Sequence, residues 1–166
     1  IGVVGSGSMG AGIAHLAALS GFNVIVRDVQ DVFLQAAKAR MEQFMQKSIS
    51  RGKLTEEQAA ETLERITFTT NLEDLKPATV VIEAIIEDLE AKKAVFAELD
   101  QIMPEDVILA TNTSSMSITV IAEATKRPDK VAGMHFFNPA QIMKLVEVVR
   151  GFKTSDETVA TLMDLS

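Results

Sequence analysis

Short apolar runs and longer amphipathic stretches alternate along the chain, and that alternation predicts its elements. Ile1–Val4 is an apolar run that breaks into glycine. Val24-Ile25-Val26, Ala78–Glu83 and Asp106–Ala110 are similar runs. Such runs mark parallel strands buried on both faces. Between them, apolar residues recur at helical spacing. Ala11–Ser20 reads as an alanine-rich helix stopped by Gly21. Asp31 to about Arg51 reads as a long helix, with Phe33, Ala37, Met41 and Phe44 on its apolar face and Met45 as core filler. Gly52 ends it. Thr55 and Gln58 then form a capping box that opens a shorter helix to about Arg65.

The same reading continues to the end. Ile66–Thr69 is a short strand, and Asn71–Leu75 is a helical turn stopped near Pro77. Asp88 to about Met103 is a helix that buries Leu89, Phe96, Leu99 and Met103. A further helix, capped by Ser115 or Ser117, ends near Thr125. Val131–Phe137 and Leu145–Val149 are strands, and Ser155–Ser166 turns helical. Strands alternating with helices predict an α/β domain over residues 1–166. The expected form is a Rossmann-type doubly wound, mostly parallel sheet with an inserted helical hairpin.

The turn after the first strand carries the most specific local signal. Gly5-Ser6-Gly7-Ser8-Met9-Gly10 is a G-x-G-x-x-G between a strand and a helix, the context that gives the motif meaning. Gly5 permits the tight turn, Gly7 lets a pyrophosphate approach the backbone, and Gly10 lets helix and strand pack closely. The helix N-terminus offers N–H groups and a positive dipole end to phosphates. Asp28 ends the next strand, about 20 residues on, where a ribose-binding carboxylate is expected. It accepts hydrogen bonds from ribose hydroxyls and repels a 2′-phosphate, which favours NAD over NADP. Arg27 sits beside it but is expected to point elsewhere, since neighbours on a strand face apart.

Composition narrows the rest. The 166 residues include no Cys, so disulfides and thiolate metal sites are excluded, which suits a reducing, cytoplasmic setting. Two histidines leave no His-rich metal site, and no metal is expected. A net charge of −7 argues against a nucleic-acid surface. No apolar run reaches the ~18 residues of a membrane span. The sequence begins without Met and inside a strand, as a trimmed piece would.

Several positions invite chemistry. His135 and Glu147 are titratable residues set in two late apolar strands, and a hairpin-like return would bring them together. Thr111-Asn112-Thr113-Ser114-Ser115 crowds small polar groups at the carboxyl edge of the sheet. Glu83 falls on the same edge. Glu87 and Lys92, near the start of a helix, read from pattern alone as ordinary surface charge. Lys47, Arg51 and Lys53 cluster at the hairpin tip, either solvated or phosphate-binding. His15, among Ala, Leu and Ile, reads as packed rather than chemical.

At Asn112-Thr113-Ser114-Ser115, His135-Phe136-Phe137-Asn138-Pro139 and Leu145-Val146-Glu147 the whole chain resembles the NAD-binding domain of the L-3-hydroxyacyl-CoA dehydrogenase family. It is most similar to the family's bacterial short-chain members, which act on 3-hydroxybutanoyl-CoA. The resemblance implies NAD-dependent oxidation of (S)-3-hydroxyacyl-CoA to 3-oxoacyl-CoA, and the reverse, in fatty acid and butanoate metabolism. It puts the catalytic histidine at His135, its acidic partner at Glu147, and a substrate-touching serine at Ser114. It places NAD contacts at Gly5, Ser6, Gly7, Ser8, Met9, Gly10, Asp28, Glu87, Lys92, Ser114 and Asn138, with Asn112 close to the reacting carbon. Coenzyme A contacts would involve Arg51 or Lys53; Phe44 stands where the family has a serine. The family's C-terminal helical domain, which supplies dimer contacts, is absent from these residues. The readings set against this one are a non-catalytic NAD-binding module and an NAD(P)-dependent hydroxyacid dehydrogenase acting on free acids.

Overall fold

A computed structural model describes residues 1–166. Seven strands form one sheet: β1 (Gly2–Val4), β2 (Val24–Arg27), β3 (Ile66–Thr69), β4 (Val80–Glu83), β5 (Ile108–Thr111), β6 (Val131–Phe136) and β7 (Val146–Arg150). Their order is β3-β2-β1-β4-β5-β6-β7. All neighbours are parallel except β6 and β7, which pair antiparallel. The order reverses direction at β1, where β2 lies on one side and β4 on the other. That reversal opens a crevice at the carboxyl ends of the strands.

Six helices cover the two faces: α1 (Ser8–Leu19), α2 (Asp31–Ser50), α3 (Glu56–Glu64), α4 (Leu89–Ile102), α5 (Ile118–Ala122) and α6 (Asp156–Leu165). Alternation along each strand sends side chains to separate cores. Val3, Val80, Ile82, Ile108 and Ala110 join α1, α2, α3 and α6. Val4, Val81 and Leu109 join Phe96 and Leu99 of α4 and Ile118 and Ile121 of α5. The expected doubly wound sheet and the helical hairpin α2–α3 are both present. The capping box of α3 forms as read: the Gln58 N–H donates to Thr55 Oγ1 at 3.1 Å, and the Thr55 N–H donates to Gln58 Oε1 at 2.9 Å.

The apolar face of α2 keeps Ala37, Met41 and Met45 as expected and differs at its first turn. Leu34, Ala37, Met41 and Met45 are buried, whereas Phe33 is 46% exposed. Leu34 takes the buried place read for Phe33, and Phe44 is half-buried. Phe33 is left on the cleft side. Phe44 packs edge-on against His15, with ring centroids 5.3 Å apart. His15 is 2% exposed, as its packed reading requires.

Strand β7 also corrects an expectation. It is the sheet edge, and its residues alternate between half-buried and exposed. Glu147 is therefore not an acid inside an apolar layer; its side chain is 54% exposed.

Candidate active site

A cleft of about 1020 Å³ runs along the carboxyl edge of the sheet. The glycine turn, Asp28, Ala84–Glu87, Lys92, Asn112, Ser114 and His135–Asn138 line it. A smaller apolar pocket of about 140 Å³, against α1 and the end of α6, includes neither His135 nor Glu147.

The floor of the cleft begins at the glycine turn. Gly5 has φ +94°, a region that side chains resist, and a Cβ there would sit 2.6 Å from the Ala84 carbonyl oxygen. A Cβ on Gly10 would fall on the Gly5 carbonyl. Before Gly7, by contrast, lies open space. Helix α1 has no side-chain N-cap, whereas α3, α4, α5 and α6 are capped by Thr55, Asp88, Ser117 and Ser155. The first N–H groups of α1 thus stay available at the cleft, as an anionic ligand needs. A turn with open space over Gly7 and an uncapped helix end fits a dinucleotide diphosphate.

Asp28 lines the cleft but is not idle. Its Oδ2 accepts from the Ser6 N–H at 2.7 Å and the Ser6 hydroxyl at 2.6 Å, and its Oδ1 accepts from the Val29 N–H at 2.7 Å. A ribose diol at Asp28 therefore shares or displaces the Ser6 hydroxyl. From the other side, Arg40 Nη2 donates to the Ser6 carbonyl at 2.7 Å. Sequence reasoning missed Arg40. The signal was its spacing: Phe33, Ala36 and Arg40 fall on one stripe of α2, and all three line the cleft. Arg27 donates through Nε to the Thr70 carbonyl at 3.3 Å, yet it too contributes to the cleft wall.

In the middle of the cleft, Lys92 departs most from its surface-charge reading. Its side chain is 1% exposed, with Nζ 2.7 Å from Glu83 Oε1 and 3.4 Å from Glu87 Oε2. Glu83 is 0% exposed and also accepts from the Ile85 N–H and the Thr111 hydroxyl, each at 2.7 Å. The Thr113 hydroxyl donates to Glu87. Helical register could have revealed this, since Lys92, Phe96, Leu99 and Met103 lie in phase on α4. Asn112 holds β6 in place, its Oδ1 accepting from the Phe136 N–H at 2.8 Å. Ser114 is exposed in the loop beyond β5.

At the far end, His135 and Glu147 face each other across β6 and β7 as register partners. Nδ1 of His135 lies 2.8 Å from Glu147 Oε2. The carboxylate fixes Nδ1 as the protonated nitrogen and leaves Nε2 to accept or release a proton. The Phe137 ring packs 4.6 Å from the imidazole, centroid to centroid. The structure thus gathers every residue expected at the cofactor and reaction site along one cleft. Gly10 packs beneath it, and Glu147 reaches it through the imidazole. Arg51 and Lys53 lie apart, exposed at the α2–α3 turn and outside the cleft lining.

Known proteins identify the family to which this fold belongs. The family model described as "3-hydroxyacyl-CoA dehydrogenase, NAD binding domain" matches residues 1–166. A 3-hydroxybutyryl-CoA dehydrogenase of Clostridioides difficile is 48% identical over 164 residues, covering 99% of this chain and 58% of that protein. The crystal structure of an (S)-3-hydroxybutyryl-CoA dehydrogenase from Ralstonia eutropha superposes with a TM-score of 0.97 at 44% identity, covering 99% of this chain and 58% of that one. A 3-hydroxyadipyl-CoA dehydrogenase of Escherichia coli K12 is 47% identical over the whole chain, which spans 35% of that protein. The chain therefore spans little more than half, or less, of these relatives. With the glycine turn, the cleft and the His135–Glu147 pair on one sheet edge, the chain belongs to the 3-hydroxyacyl-CoA dehydrogenase family and corresponds to its NAD-binding domain.

Proposed function

We propose that the protein containing this chain oxidises (S)-3-hydroxyacyl-CoA to 3-oxoacyl-CoA with NAD, and runs the reverse reduction, on short acyl chains such as 3-hydroxybutanoyl-CoA. The observation that carries the reading is the His135–Glu147 pair, 2.8 Å apart at the mouth of a cleft whose other end is built for phosphates. NAD, when bound, supplies the hydride acceptor. The residues of the chain handle position and the proton. Nε2 of His135 takes the proton of the substrate hydroxyl while the carbon gives up its hydride. Glu147 holds Nδ1–H and stabilises the imidazolium that results. Ser114 hydrogen-bonds the substrate oxygen, and Asn112 and Asn138 line the same end of the cleft. In reduction His135 returns the proton to the ketone oxygen.

The names of the relatives support an acyl-CoA substrate. Arg51 and Lys53, exposed on the hairpin, are the cations offered to coenzyme A phosphates. Family resemblance supports a homodimeric, cytoplasmic parent in fatty acid and butanoate metabolism, with a helical domain beyond these residues making the dimer. A free-acid reaction that relies on a catalytic lysine finds no counterpart, since Lys92 in the cleft is committed to Glu83. The test is an NADH-oxidation assay of the intact protein with acetoacetyl-CoA and longer 3-ketoacyl-CoAs. Turnover fastest at four carbons is expected. NADH binding without turnover of any of them would reduce the chain to a nucleotide holder.

A further inference from the structure

The adenosine end of the cleft carries more positive charge than NAD requires. Arg27 and Arg40 both line it, and the only acid lining that end is Asp28. The chain as a whole is strongly acidic, with a net charge of −7, so a local excess of cations at a ligand cleft is out of character. None of the chain's eight ion pairs involves either arginine.

Arg40 is the better placed of the two. One N–H of its guanidinium goes to the Ser6 carbonyl at 2.7 Å, and no other protein group accepts from the rest of the fork. Arg27 spends its Nε on the Thr70 carbonyl. Asp28 and Arg40 grip the same residue, Asp28 taking the N–H and hydroxyl of Ser6 and Arg40 its carbonyl. A carboxylate and an unpaired guanidinium therefore stand either side of one residue at the end of the cleft where dinucleotide sites distinguish a ribose hydroxyl from a phosphate. The carboxylate repels a phosphate dianion. The guanidinium is the side chain that binds one best, through paired N–H donors.

We propose that Arg40 is a specificity-determining residue held in reserve: Asp28 alone keeps this cleft for NAD, and without Asp28 the Arg40 guanidinium accepts the 2′-phosphate of NADP. This rests on the dinucleotide reading of the cleft and is independent of the acyl substrate. It goes beyond a loss of NAD affinity on removing Asp28, because it requires a gain for the phosphorylated cofactor and names the group that provides it.

The experiment is fluorescence titration of the intact protein with NADH and with NADPH, without acyl-CoA, for wild type, Asp28→Ser, Arg40→Gln and the double variant. Wild type should prefer NADH, and Arg40→Gln should keep that preference. Asp28→Ser should weaken NADH and tighten NADPH by about tenfold or more, with the NADPH gain shrinking as salt rises. The double variant should lose the gain. Asp28→Ser without any NADPH gain overturns the proposal, as does a gain that survives Arg40→Gln, which would assign it to Arg27. Asp28→Ser with Arg40→Lys, which keeps the charge and loses the fork, should show an intermediate gain; a full gain there would also overturn the role of the fork. Failure of wild type to bind NADH at all would instead sink the dinucleotide reading beneath it.

Discussion

Lys92 and Glu83 meet at 2.7 Å with side chains 1% and 0% exposed, a buried ion pair beneath a ligand cleft. Removing ions from water is costly, and only close, well-bonded geometry offsets that cost. Glu83 supplies it: one oxygen takes Lys92 and the Ile85 N–H, and the other takes Thr111. Glu83→Ala should lower unfolding free energy by about 3 kcal/mol, since it leaves a buried ammonium with only the half-exposed Glu87 at 3.4 Å. Adding Lys92→Met should recover a good part of that loss. Urea unfolding of the two single variants and the double decides it. Simple additivity of the two losses would show that the pair is not coupled.

The glycine turn predicts two separable outcomes. Gly7→Ala meets no atom within 4 Å and keeps an ordinary φ of −61°, so stability should change by less than about 1 kcal/mol. NADH affinity should still fall, because the methyl occupies the approach to the phosphates. Gly10→Ala drives a Cβ into the Gly5 carbonyl and should cost at least about 1–3 kcal/mol, along with the binding site. Thermal melts and NADH titration separate the two. Equal destabilisation would contradict the open space before Gly7.

The His135–Glu147 pair makes a kinetic prediction. His135→Gln in the intact protein should lower kcat about 10²–10⁴-fold while NADH binding changes little, if the ring takes the proton as proposed. Glu147→Gln should also lower kcat and alter its pH profile, since the carboxylate sets the tautomer. Wild-type turnover in His135→Gln would remove the imidazole from the reaction.

His15 links stability to pH. Burial lowers its pKa from 6.5, and its Nε2 has no hydrogen-bond partner. The unfolded chain therefore protonates first as pH falls below about 6.5. Stability from this group is complete above that pH. It declines at up to about 1.4 kcal/mol per pH unit as pH drops toward the lower folded value, where the loss is complete. His15→Leu should flatten that part of the stability profile between pH 7.5 and 5. An unchanged slope would place the linkage elsewhere.

How much of this was legible beforehand depended on the range of the physics involved. Runs of Val and Ile, glycine spacing, the Thr55–Gln58 box and the acid after β2 are local signals, and each element they predict is present. Local pattern suggested the pairing of His135 with Glu147 and family resemblance assigned it; the antiparallel register of β6 and β7 brings it about. The choice between Phe33 and Leu34 at the start of α2 did not follow. Phe33 and Leu34 are both apolar, and only the close approach of α1 decides which of them is buried.

The sequence by itself determined the order of strands and helices, the glycine-rich turn and the acid that follows β2, because backbone geometry and apolar periodicity act over a few residues. The tertiary structure decided which charges are buried and which face the ligand. Lys92 is buried because Glu83, on another element, neutralises it, and Arg40 reaches Ser6 because α2 packs across the turn. Helical spacing puts Lys92 and Arg40 on inward stripes of α4 and α2, but the partners that receive their charge lie across space, and desolvation and pairing depend on those partners.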